Sequence, residues 1–170
     1  MDDRYGRLSA SGDRWALTFT RRLPHSPEKV WRALTEPEHL AAWFPSGIEG
    51  ERAAGAKLRF PFPQAEGPTE EGEMLAFEPP RLMELRWADD VLRFELRPDG
   101  EGTVLTLVDT FDELGKAARD AAGWHVCLDA LVLHLAGDGQ SPPDWKPLND
   151  EYNERLGPEA STIGPPDWAV

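Results

Sequence analysis

The hydrophobic period of this chain changes near Glu113. From Lys57 up to that point apolar residues recur mostly at every second position. Leu58, Phe60 and Phe62 alternate with Lys57 and Arg59, Met83, Leu85 and Trp87 with Glu84 and Arg86, and Leu92, Phe94 and Leu96 with Arg93, Glu95 and Arg97. That is the period of strands with one covered face. Beyond it, Ala117, Ala121, Trp124, Leu128, Leu131 and Leu135 recur at steps of three and four, the period of a helix. This helix is expected to run for about 20 residues, or about 30 Å, and to end at Gly137 and Gly139. Turns at Asp89-Asp90 and Pro98-Asp99-Gly100 predict an antiparallel meander. One long helix then has to cover the apolar face of a whole sheet, so the sheet is expected to curl around it. The class is α+β, with about six to seven strands. A sheet gripping one helix leaves space between them in which a ligand fits.

The flanking segments fit this plan. Arg14 to Leu23 alternates as a strand. Ser26 is a good N-cap, Pro27 suits the first helical position, and Val30, Trp31 and Leu34 give a short apolar stripe. Pro37 stops that helix and opens a second, carrying Leu40, Trp43 and Phe44 and closed by Pro45 and Gly47. The phase of Glu71 to Phe77 stays open. Either Glu73, Leu75 and Phe77 point inward, which makes Glu73 a buried polar candidate, or Met74 and Ala76 do. Gly123 inside the long helix costs about 1 kcal/mol against Ala, which predicts a close approach there. Residues 141–170 are Pro-rich and acidic; Leu148, Tyr152 and Leu156 before Gly157 predict one short helix that packs on the domain of residues 1–140. Dimerisation through this extension is the alternative.

Composition narrows the function. The 170 residues carry 18 Lys plus Arg against 31 Asp plus Glu, a net charge of −13. Phosphate backbones repel such a surface, so no nucleic-acid partner is expected. No apolar run reaches the roughly 18 residues of a spanning helix, and Met1 to Asp13 has no apolar stretch like a signal peptide, so no membrane association is expected. Cys127 is the one cysteine, which excludes an intrachain disulfide and fits a reducing, cytoplasmic setting. Gly-x-Ser-x-Gly, Walker and Gly-x-Gly-x-x-Gly patterns are absent, so neither serine hydrolysis nor nucleotide binding has support.

The side chains that carry chemistry are few. Asp109 is in phase with Leu105 and Leu107. Pointing inward, it is expected to titrate above the usual carboxylate range and to bond a ligand or move a proton; pointing outward, it caps a turn. His125 and Asp129 lie four residues apart and share a helix face. The pair orients an imidazole for proton transfer or makes a structural hydrogen bond. Cys127 lies on another face, as a small core residue. His25, His39 and His134 are scattered, with no His-x-x-x-His spacing; no metal and no cofactor are expected. Trp31 and Trp43 read as packing anchors. Trp87 and Trp124 face the space between sheet and helix and either fill it or line it. With Phe60, Phe62, Leu85, Phe94, Leu96, Leu107, Asp109 and Leu128 they are the expected cavity wall.

Several segments carry a family likeness. Arg22 to Phe44 reads R-L-P-H-S-P-E-K-V-W-R-A-L-T-E-P-E-H-L-A-A-W-F. Gly72-Glu73-Met74-Leu75 with Pro79-Pro80-Arg81, the strand ending at Trp87, Gly102 to Leu107, Ala122-Gly123-Trp124-His125 and Cys127-Leu128-Asp129 extend it. Over roughly residues 5 to 157 the chain resembles the SRPBCC (START-like, Bet v 1-like) superfamily, in its Hsp90-ATPase-activator-homologue branch of bacterial single-domain type. The resemblance implies a helix-grip fold and a cavity for a small hydrophobic or amphipathic molecule, without implying one activity. Many relatives carry His where this chain has Asp109, which separates it from His-based chemistry. The expected function is therefore binding of a small hydrophobic or amphipathic molecule, with no catalytic residue assigned. Hsp90-type co-chaperone action ranks behind it, because the eukaryotic activators carry a further N-terminal domain. An aromatase/cyclase- or hydrolase-like enzyme would rest on Asp109, Glu73 and His125.

Overall fold

The computed structural model describes residues 4–61 and 69–164. Seven strands form one antiparallel sheet: β1 (Arg7–Ser11), β2 (Arg14–Leu23), β3 (Lys57–Phe60), β4 (Glu70–Glu78), β5 (Leu82–Trp87), β6 (Asp90–Asp99) and β7 (Gly102–Phe111). Their order across the sheet is β1-β2-β7-β6-β5-β4-β3. Between β2 and β3 lie the short helices α1 (Pro27–Thr35) and α2 (Pro37–Trp43). The long helix α3 (Ala117–Ala136) follows β7, and α4 (Trp145–Leu156) closes the domain. This is a helix-grip arrangement, a curved sheet holding α3.

Local chemistry sets the boundaries. Ser26 Oγ accepts from Lys29 N–H at 3.2 Å and Pro27 opens α1, so two exposed donors of the first turn are capped or removed. Helix α3 ends on Gly137 in the left-handed region, at φ 68°, a conformation that favours glycine. Arg52 donates to the carbonyls of Thr35, Ile48 and Gly50 at 2.9 to 3.0 Å and ties the loop after α2 to the end of α1.

Period 2 decides the core. The register sets Leu17 against Asp109, Phe19 against Leu107, Phe94 against Leu107 and Leu85 against Leu92, all on the face toward α3. Leu17, Phe60, Leu85, Leu92, Phe94, Leu107 and Leu128 are all fully buried.

Two expectations change here, and one strand is added. Strand β1 pairs with β2 although its residues are mostly exposed; an edge strand without apolar alternation leaves no period to read. In β4 the register shifts between Met74 and Ala76. Met74 therefore faces Leu85 and Phe77 faces Met83, both inward, while Leu75 is exposed and Glu73 pairs with Lys57 and Arg86 on the outer side. The bulge switches faces in mid-strand, so neither single phase describes it, and Glu73 is not a buried polar residue. At Gly123 an added Cβ would have Trp145 Nε1 as its nearest neighbour, at 4.0 Å; no close approach requires glycine there. Phe62 lies outside the described residues.

Candidate functional site

The aromatic residues of sheet and helix converge on Phe44, at the end of α2. Its ring centroid lies 5.7 Å from that of Trp87 and 5.7 Å from that of Trp124, and the two tryptophan rings are 5.4 Å apart. Phe60 joins at 6.1 Å from Trp87. Gly72 makes this packing feasible: a Cβ there would lie 2.7 Å from the Phe60 ring and 1.8 Å from the Arg86 carbonyl oxygen. Trp43 Nε1 donates to Ala33 O at 2.8 Å, and Trp31 packs on Phe77 at 5.3 Å; both anchor the short helices.

Behind Trp124 lies a carboxyl cluster. Trp124 Nε1 donates to Asp109 Oδ2 at 3.2 Å, and Asp109 is fully buried. One oxygen each of Asp90, Asp109 and Asp120 lie within 4.8 Å of one another. Lys116 Nζ sits among them, 2.7 Å from Asp90 and 3.4 Å from Asp120, so an internal ammonium supplies the cation. Asp109 Oδ1 has no hydrogen-bond donor. Burial, then repulsion from Asp90 and Asp120, pushes the Asp109 carboxyl well above the usual range, with Lys116 pulling the other way. A protonated Oδ1 is a donor, and hydrogen bonding to Asp90 favours that form. Asp120 is also raised by burial, against Lys116 and Arg119.

Asp90, Lys116 and Asp120 were not among the sequence candidates, yet signals for them exist. Asp90 stands two residues before Leu92, in phase with the inward face, and Lys116, Asp120 and Trp124 are spaced by four on one helix face.

His125 and Asp129 belong to a different site, the junction of α3 with α4. His125 is buried; its Nδ1 lies 2.8 Å from Tyr152 Oη and its Nε2 3.5 Å from Asp129 Oδ2. Tyr152 Oη also accepts from Gly6 N–H at 2.8 Å. The phenol, pushed up to about 12 by burial, keeps its proton and holds the imidazole to α4. Asp129 also approaches the buried Arg21, at 3.7 Å. Burial pushes the Cys127 thiol up to about 12, so it is a weak nucleophile.

The described surface includes two clefts. The first, of about 770 Å³, is lined by Leu40, Ala41, Phe44, Ile48, Phe77 and Arg52. The second, of about 810 Å³, lies by the Thr18–Arg22 stretch of β2 and is lined by Arg4, Arg7, Arg21 and Arg22 together with Tyr5, Val132 and Leu133. None of Phe60, Leu85, Trp87, Phe94, Leu96, Leu107, Asp109, Trp124 and Leu128 lines either cleft. Phe44 alone links the first cleft to the aromatic cluster.

The family model described as Activator of Hsp90 ATPase homolog 1-like protein matches residues 24–136, well over half of the chain. The chain belongs to this family. Among solved structures similar to this homolog 1-like chain, the protein encoded by gene BPP1335 of Bordetella parapertussis is 30% identical at a TM-score of 0.69, with 91% of each chain covered. CalU16 of Micromonospora echinospora is 24% identical at a TM-score of 0.71, with 89% of this chain and 92% of that one covered. The Aha1 dimer of Colwellia psychrerythraea is 19% identical at a TM-score of 0.60, covering 71% and 95%. The last two show a shared fold. No curated protein matches the chain.

Proposed function

We propose that the chain binds a small hydrophobic or amphipathic molecule whose apolar part enters between the sheet and α3 by displacing Phe44. The observation that carries this reading is the double position of Phe44: it lines the outer cleft and its ring packs 5.7 Å from both Trp87 and Trp124. A ligand that takes its place meets an aromatic wall of Trp87, Trp124 and Phe60, backed by Leu85, Phe94, Leu96, Leu107 and Leu128. Asp109, behind Trp124, fixes the indole edge of that wall. The single free cysteine is consistent with action in the cytoplasm.

Tryptophan emission tests this directly. Titration with an apolar naphthalene probe is expected to give a saturable shift, and Phe44→Ala is expected to bind the probe more tightly while losing stability. Native mass spectrometry of the purified chain with organic extraction identifies a retained ligand and shows whether the chain pairs, as the Colwellia relative does. No saturable shift in either protein, with a clean apo mass, overturns the binding reading. Family membership supports one other reading, a co-chaperone role, and stimulation of an Hsp90 ATPase without probe binding would favour it.

A further inference from the structure

Two histidines 95 residues apart in sequence meet where α2 crosses α3. His39 Nδ1 lies 2.8 Å from His134 Nε2, with ring centroids 5.1 Å apart. Both side chains are partly exposed, His39 at 35%. On the far side of His39, the Glu36 carboxylate lies 3.5 Å from Nε2. A neutral imidazole carries one N–H. With that proton turned toward Glu36, the Nδ1 lone pair of His39 faces His134.

We propose that His39 and His134 form a site for a divalent transition metal, Cu²⁺ or Ni²⁺ ahead of Zn²⁺, that clips α2 to α3. Imidazole nitrogens bind such ions at about 2.0–2.1 Å. Two nitrogens 2.8 Å apart subtend roughly 85–90° at a metal placed at that distance from both. This is the cis angle of square-planar and octahedral centres, which suit Cu²⁺ and Ni²⁺, whereas tetrahedral Zn²⁺ needs the rings to spread. Water completes the coordination from the open side. Glu36 occupies the outer position that metal-bound histidines usually give to a carboxylate, which fixes the tautomer and raises ligand basicity. The proton His134 Nε2 now shares with His39 moves to Nδ1 of the same ring, so no proton is released. Lys29 opposes binding: its ammonium donates to Leu135 O at 3.1 Å and contacts His25 Nδ1 at 3.3 Å. With two protein ligands and that charge nearby, the affinity is expected to fall well below that of a four-ligand structural site.

The test is calorimetric titration of the full chain with NiCl₂ and CuCl₂ in 0.15 M salt, which suppresses weak binding to the acidic surface. One saturable site is expected. His39→Asn and His134→Asn should each abolish it, Glu36→Gln should weaken it about tenfold, and His25→Asn should leave it unchanged. Electron paramagnetic resonance of the Cu²⁺-loaded parent protein, which depends on no variant, should show two equatorial nitrogens. Unchanged binding in His39→Asn and His134→Asn, no saturable site in the parent, or an all-oxygen Cu²⁺ spectrum overturns the proposal.

Discussion

Replacing Asp109 by Asn removes a buried carboxyl and keeps its shape. Oδ2 accepts from Trp124 Nε1 at 3.2 Å, while Oδ1 meets no donor in a fully buried position. Ionised, Asp109 leaves a buried acceptor unpaired, at a cost of about 1–3 kcal/mol or more for a charged group. Burial and the acids Asp90 and Asp120 accordingly raise the folded-state value. In the unfolded chain an Asp ionises near about pH 3.9. The folded chain therefore holds this proton to higher pH than the unfolded chain does. The stability it contributes is fully present below about pH 3.9 and is lost as pH rises through the raised folded value, at about 1.4 kcal/mol per unit of separation. Asn keeps the acceptor for Trp124 and turns an NH₂ group toward the Asp90 carboxylate. Asp109→Asn should match the parent near pH 4 and exceed it by about 1–3 kcal/mol at pH 8, a rise of very roughly 2–12 °C in Tm. Urea unfolding of both proteins in steps from pH 4 to 8 measures the difference. Carboxyls remote from Asp109 cancel in it. A difference that is flat in pH, or a variant less stable than the parent at pH 8, refutes the reasoning.

Three further outcomes are expected. Gly72→Ala sets a Cβ 1.8 Å from the Arg86 carbonyl oxygen; backbone has to yield, so urea unfolding should show a loss at or above the usual 1–3 kcal/mol or so of overpacking. Gly123→Ala, with only Trp145 Nε1 nearby at 4.0 Å, should gain up to about 1 kcal/mol of helix propensity, read as a Tm rise of about 2–4 °C. Tyr152→Phe strips the buried Gly6 N–H and His125 Nδ1 of their shared partner and should cost about 1–3 kcal/mol. The phenol stays protonated up to about 12, so its own ionisation adds no pH dependence to that loss between pH 6 and 9, and α4 should become the first site of limited proteolysis.

The sheet and α3 are legible in the sequence because burial is one-sided: Leu92, Phe94 and Leu96 face α3 while Arg93, Glu95 and Arg97 face away, and solvent enforces that alternation residue by residue. Where one-sided burial fails, so does reading. Strand β1 buries almost nothing and exists through its ladder with β2, and β4 changes faces at its bulge, leaving Met74 and Phe77 inward at a spacing of three. Legibility of the candidate site divides the same way. The inward phase of Asp109 and Asp90 and the four-residue stripe of Lys116, Asp120 and Trp124 are written locally. Their meeting is not, and neither is that of His39 with His134, which depends on how α2 crosses α3. For the acids the deciding quantity is register. Leu92 faces Asp109, which sets Asp90 diagonally beside Asp109 within reach of Lys116. A two-residue slip of β6 against β7 would keep every apolar side chain on its own face and still draw Asp90 away from Asp109. Periodicity is blind to that slip, so the acid cluster needs the three-dimensional register to become visible, whereas the core around it does not.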